Sequence, residues 1–142
     1  MKVLKVLTIG IMAGGMMISE RMTELAIAQD SCDRAVTQQA LNRCAREFRR
    51  QSDQNLKDFI TTYQTRLRPE QVTALQHSQA AWELFRRFDC EFEASGVSGG
   101  SAYSLIFSRC MTVKATARLS ELQELAQCEE GNLSCPAPVQ EQ

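Results

Sequence analysis

Apolar residues recur along this chain in steps of three and four, and nowhere in the strict alternation of a half-buried strand. Leu41, Ala45, Phe48, Leu56, Phe59, Tyr63 and Leu67 make one stripe, with Ser52 filling the gap, and predict a long amphipathic helix over about residues 37–67. Thr37 can cap it, because its hydroxyl can accept a free amide of the first turn. A second helix is expected from Pro69, whose missing amide costs nothing at the first helical position. Val72, Leu75, Trp82, Phe85 and Phe92 supply its apolar residues, and the small or polar run Gln76–Ala81 between them predicts a close helix crossing. Trp82, beside Ala80 and Ala81, is the expected core anchor of this helix. The helix should stop before Ser95-Gly96.

Gly96-Val97-Ser98-Gly99-Gly100 is a glycine-rich loop. Ser101 is placed to cap a third helix over about residues 102–126. Tyr103, Ile106, Phe107, Val113, Ala117, Leu122 and Leu125 are its candidate buried residues, although they define a less clear face than the first stripe does. Beyond Cys128 the sequence turns irregular, with Gly131-Asn132, Pro136 and Pro138. Three helices on short connections predict an all-α fold, a disulfide-stapled antiparallel three-helix bundle.

The front of the chain reads differently. Lys2 and Lys5 make a positive start, and residues 3–18 are apolar or small apart from Lys5 and Thr8. That run is shorter than the roughly 20 apolar residues a spanning helix needs. Ala26-Ile27-Ala28 fits a small-x-small cleavage pattern, although the polar segment Ser19–Glu24 before it is long for such a site. Residues 1–28 are therefore expected to be a signal peptide, followed by a helical domain over 29–127 and an irregular tail over 128–142. Gln29-Asp30-Ser31 lacks the small apolar character of a lipidation site, so Cys32 is not expected to carry lipid. No stable membrane span is expected once the signal is removed.

All six cysteines, Cys32, Cys44, Cys90, Cys110, Cys128 and Cys135, follow that signal. An even set in a short exported chain reads as a disulfide framework and places the protein in an oxidising compartment, periplasmic or secreted. Helix geometry narrows the pairing. Residues twelve apart inside one helix are separated by about 18 Å, whereas bridged Cα atoms lie about 5.5 Å apart. Cys32 can meet Cys44 only if it precedes the first helix. Cys90 and Cys110 become level if the glycine loop reverses the chain, and Cys128–Cys135 would close a small terminal loop. The expected pairs are 32–44, 90–110 and 128–135, with Cys44–Cys90 as the competing arrangement.

Charge excludes one class of partner. With 16 Lys+Arg against 17 Asp+Glu, the chain has a net charge of −1, which gives no electrostatic footprint for nucleic acid. After residue 28 the only lysines are Lys57 and Lys114, so arginine dominates the cationic surface, and its fork suits carboxylates. Arg43, Arg46, Arg49 and Arg50 form a basic run on the first helix. It reads first as a solvated face partnered by Glu47 and Asp53, and second as a contact for an anionic polymer or a protein carboxylate.

Catalytic chemistry is not spelled out. His77 is the lone histidine, and Ser78 beside it points elsewhere on a helix. Asp89, Glu91 and Glu93 lie with Glu83 on a segment whose Arg86 and Arg87 fall at ion-pairing distance, so a solvated, salt-bridged helix face is expected. There is no Cys-x-x-Cys pair for zinc, no phosphate loop and no dinucleotide fingerprint. We expect no enzyme activity, no metal and no cofactor.

The stretch Gln79-Ala80-Ala81-Trp82-Glu83-Leu84-Phe85-Arg86-Arg87-Phe88-Asp89-Cys90 resembles the signature Q-x-A-W-x-x-[FY]-R-x-x-x-C of the LprI-type lysozyme-inhibitor domain family. Cys90–Ala94, Gly99-Gly100-Ser101, Cys110-Met111-Thr112, Arg118 and Leu122 continue the likeness. Cys32, Thr37-Gln38 and Asn42-Arg43-Cys44 resemble the family's opening, and Asp53, Leu56 and Tyr63 its next helix. Ala80, Arg87 and Ala115 depart from the pattern, and Cys128 and Cys135 lie outside it. The resemblance implies an exported helical domain and, through the family's name, lysozyme as the partner. On that basis the loop residues Ser98, Gly99, Gly100, Ser101 and Tyr103 are the candidate partner-binding site, one that occludes the enzyme's cleft. An envelope structural or interaction module without inhibitory activity is the alternative, and a plain interhelical turn is the bland reading of the loop.

Overall fold

In the computed structural model the described residues are 32, 34–129 and 131–136; the expected signal peptide lies outside them. The chain divides into a unit ending at Ala35 and a helical body that begins at Val36. In the first unit, the Ala35 amide donates to the Cys32 carbonyl at 3.1 Å. The helical body holds three α-helices among its described residues: α1 (Gln38–Gln64), α2 (Pro69–Glu93) and α3 (Tyr103–Ala126), with a short 3-10 turn at Ser95–Val97. These match the elements that the apolar spacing predicts.

The helix starts follow from local chemistry. The Thr37 hydroxyl accepts the Ala40 amide at 3.2 Å and begins α1. Pro69 opens α2, and the Gln71 side chain accepts the Arg68 amide at 3.0 Å. At α3 the expectation fails: Ala102 occupies the cap position with no side-chain hydrogen bond, and Ser101 does not cap. The Ser101 carbonyl accepts the Asn42 side chain at 2.8 Å, while its hydroxyl has no partner among the described residues.

Cross-helix contacts fix the topology. Asn42 meets Ser101, Arg46 meets Ser104, Tyr63 meets Leu125 and Arg66 meets Ala126, at separations of 59, 58, 62 and 60 residues. A nearly constant separation means that α1 and α3 run parallel. Between α2 and α3 the separation shrinks from 40 at Ser78–Arg118 to 20 at Cys90–Cys110, so that pair runs antiparallel. The fold is the up-down-up bundle, with α3 packed along α1 and against α2.

The core lies mainly between α1 and α3. Leu56, Ala115 and Leu122 form one cluster, backed by Phe59, Ile60, Leu75, Trp82 and Leu119. Tyr63 and Ala126 form a second, and Cys90, Cys110 and Met111 a third with Phe107 alongside. Small residues do much of the burying: Ala45, Ser108, Ala115 and Ala126 are all buried, which lets the two helices approach closely. This explains the unclear face of the third helix in the sequence. Its buried side carries alanine and serine, while Val113 and Leu125 turn outward and Ala117 is also exposed.

The sequence expectation is also corrected on α2. Phe85 and Phe92, read as apolar positions of this helix, are exposed, as are Leu84 and Phe88. Arg86, expected on a solvated face, is buried and donates to the Asp53 carboxylate on α1 at 2.7 Å. Trp82 is half-buried, backing the Leu56 cluster, with the Arg86 and Arg118 guanidinium groups 4.8 and 6.0 Å from its ring centroid. The helix thus presents its polar motif residues inward and its phenylalanines outward.

All six cysteines are disulfide-bonded. Cys90 joins Cys110 with a Cα separation of 5.6 Å, which excludes the competing Cys44–Cys90 pair, and Cys128 joins Cys135 at 5.5 Å. No described helix is long and apolar enough to cross a membrane.

Candidate functional site at the loop end of the bundle

The parallel course of α1 and α3 brings the start of α1, the end of α2 and the start of α3 to one end of the bundle. The α2–α3 loop crosses that end as a run of tight turns. Val97 donates to Ala94, Ser98 to Ser95, Gly100 to Val97 and Tyr103 to Gly100, all between 3.0 and 3.2 Å. Gly99 sits at φ +74°, a conformation that L side chains rarely adopt, and a Cβ on Gly100 would lie 3.1 Å from the Val97 carbonyl oxygen. Two glycines in succession are what this path requires.

The loop is held from three sides. Ala94 is fully buried beneath it, and Cys90–Cys110 staples the two helices it joins. From α1, the Asn42 side chain donates to the Ser101 carbonyl, and Asn42 itself accepts from the Gln38 side chain at 2.9 Å. Ser98, Gly99, Gly100 and Ser101 are exposed, and the hydroxyls of Ser98 and Ser101 have no partner among the described residues. Tyr103 is half-buried, its ring stacked on Phe107 at 5.9 Å between centroids. The candidate residues therefore share one end, with the serines offered outward and Tyr103 partly occupied in packing.

The sequence treats the arginine run and the loop as separate features, but the structure makes them neighbours. Arg46 donates to the Ser104 hydroxyl at 3.0 Å, and the Arg49 guanidinium lies 5.1 Å from the Phe107 ring centroid. Arg49 also approaches Asp53 at 3.5 Å and Arg50 pairs with Glu47, so the solvated-face reading of these two holds. The hydrogen bond and charge of Arg50 hold the Glu47 carboxyl below its ordinary value. Arg43 is exposed and without a partner among the described residues. Asn42 is the anchor of the candidate loop that sequence reasoning missed. Its partner lies 59 residues away, and no local pattern signals such a contact.

The acidic residues of α2 do not converge. Asp89 pairs with Lys114 at 2.6 Å, Glu91 approaches Arg87 at 3.9 Å, and Glu83 lies 3.5 Å from Arg86. His77 is exposed on α2. Among the described residues no group of three or more His, Cys, Asp or Glu side chains stands ready for a metal ion. Between α1 and α2 lies a groove of about 390 Å³, lined by Asp53, Leu56, Ile60, Gln79, Glu83 and Arg86 among others.

The family model described as lysozyme inhibitor LprI matches residues 28–122. The chain belongs to that family. A protein of Rhizobium meliloti (strain 1021), itself described as uncharacterised, is 31% identical over 118 residues, covering 70% of this chain and 83% of the relative. No solved structure matches. The matched span runs from before α1 nearly to the end of α3 and includes the loop, the arginine run and the Cys90–Cys110 staple. Disulfides throughout and membership of this family fit an extracytoplasmic location.

Proposed function

We propose that the protein is an exported, non-enzymatic binding protein, periplasmic or secreted after loss of residues 1–28, that inhibits lysozyme by placing the α2–α3 loop in the enzyme's cleft. The observation that carries this reading is the combination of family membership with a loop that is exposed and already ordered by its own turns and anchors. A loop fixed before binding loses little conformational freedom on docking, so more of its contact energy appears as affinity. A lysozyme cleft contains two carboxyl groups and admits an extended sugar chain. The Ser98 and Ser101 hydroxyls can donate to such carboxyl groups, and the nearby Arg43 can add a charge-assisted bond. Tyr103 contributes ring edge at the base of the loop. An envelope interaction module without inhibitory activity is the second reading, and the exposed arginines at the same end favour it.

The test is lysozyme turnover on a cell-wall suspension, with and without the purified oxidised domain in molar excess. Inhibition is expected, and a variant carrying alanine at Ser98, Ser101 and Tyr103 should lose it while keeping its helical signal. Unchanged turnover with the natural domain would end the inhibitor reading. Undiminished inhibition by the triple variant would end the loop assignment alone.

A further inference from the structure

We infer that the outer face of α2 is a self-association surface, on which two copies of the chain pair α2 against α2 in antiparallel orientation. Leu84, Phe85, Phe88 and Phe92 recur at helical spacing on the side of α2 turned away from Arg86 and Cys90, and they are 53%, 59%, 57% and 78% exposed. At about 200 Å² per phenylalanine, these four side chains offer roughly 500 Å² of apolar surface. That is near the upper end of the largest apolar patches usual on monomers. It is also about three-fifths of the 800 Å² that each partner buries in a standard interface, close to the apolar share of homodimer contacts. The bundle therefore leaves uncovered nearly the apolar area that a dimer needs.

The edges of the patch favour a second copy over a charged partner. Lys114 pairs with Asp89 along one edge and Arg87 with Glu91 along the other, so both flanks are locally neutral. Nothing there would steer a strongly acidic or basic protein, and nothing repels an identical face. Shape then sets the register. Ala81 is exposed on the same stripe two turns before Phe88. An antiparallel pairing with its two-fold axis between Leu84 and Phe85 seats each Phe88 ring over the partner copy's alanine. The same pairing sets Phe92 beside the exposed polar pair His77-Ser78. Such an isologous contact closes on itself and makes a dimer, not a filament.

The inference is independent of lysozyme inhibition, because the stripe faces outward from α2 and includes none of the loop residues. It is tested on the full oxidised chain by sedimentation velocity from micromolar to near-millimolar concentration. The natural chain should reach twice the chain mass. Phe88→Glu and Ala81→Glu should each weaken self-association by about a hundredfold or more, since each change is felt twice across the axis. Both positions are exposed, so circular dichroism should remain helical, and Thr116→Glu on the exposed side of α3 should leave the dimer intact. A natural chain that stays monomeric throughout, including one whose patch binds lipid vesicles or lysozyme instead, overturns the proposal. A dimer that survives Phe88→Glu also overturns it, and one that survives Ala81→Glu alone overturns the antiparallel register.

Discussion

Removing the carboxylate of Asp53 should cost more than its half-exposed position suggests. Its partner Arg86 is only 4% exposed and makes its closest ionic contact with Asp53, at 2.7 Å. Glu83 stands farther off at 3.5 Å, and the Arg86 Nε has no hydrogen-bond partner among the described residues. Exposed ion pairs contribute about 0–1 kcal/mol, whereas stripping one partner from a buried pair costs about 3–5 kcal/mol because a charge is left uncompensated. Asp53 is 34% exposed, so Asp53→Ala falls between these limits, at about 2–3 kcal/mol. Arg86→Met should be milder, at about 1 kcal/mol, because the carboxylate it abandons can rehydrate and the methionine keeps most of the packing on Trp82. The informative comparison is the double variant. If the cost of Asp53→Ala is the stranded guanidinium, then Asp53→Ala/Arg86→Met must be more stable than Asp53→Ala alone. Urea unfolding of the oxidised proteins measures all four members of the cycle as shifts in midpoint at constant slope. An Asp53→Ala cost below about 0.5 kcal/mol, or a double variant no more stable than the single, would refute the account.

Two further outcomes follow from the same packing. Replacing both Cys90 and Cys110 by alanine releases a 20-residue separation and should cost about 3 kcal/mol, read by the same unfolding assay, with faster amide exchange in the loop. Burial pushes the Tyr63 phenol above its ordinary value of 10.0, so the native state holds that proton more tightly than the unfolded chain does. Its contribution is present below pH 10 and declines as the pH rises through the native value. Tyr63→Phe should therefore flatten the alkaline loss of stability in a pH series of thermal unfolding, and an unchanged alkaline limb would contradict the burial argument.

The parts of the fold legible in the sequence were those governed by local rules. The first helix shows a broad apolar stripe and a threonine cap, and both appear as read except at Phe48, which is exposed, because neighbours in sequence determine them. Pro69 opens α2 for the same reason. What escaped was set by partners far along the chain. Arg86 and Arg87 look alike in sequence, yet one is buried against Asp53 and the other is exposed; only the position of α1 separates them. Ser101 looks like a cap, but the helix begins one residue later, with Ala102 at the cap position and the Ser101 carbonyl held by Asn42 across the bundle. The outward turn of the α2 phenylalanines was not legible, because apolar spacing reveals a face without saying which way it points. The candidate loop was legible from its glycines, but its anchoring on α1 was not.

The family signature gains a physical meaning here that bears on how far function can be transferred. Gln79 accepts from Arg118 at 3.4 Å, Trp82 backs the main core cluster, Arg86 ties α2 to Asp53, and Cys90 is bonded to Cys110. Each of these signature residues points into the bundle and holds α2 in place, so sharing the signature means sharing the scaffold. Phe85 is a signature position that faces outward, whereas Leu84, Arg87 and Phe88 are exposed at positions the signature leaves free. Two members can therefore keep every inward residue and still recognise different surfaces. Exchanging the loop residues Ser98–Tyr103 between members, while leaving Gln79, Trp82, Arg86 and Cys90 untouched, should carry lysozyme inhibition with the loop if the cleft reading is right. Inhibition that stays with the recipient scaffold would assign it to a surface outside the loop.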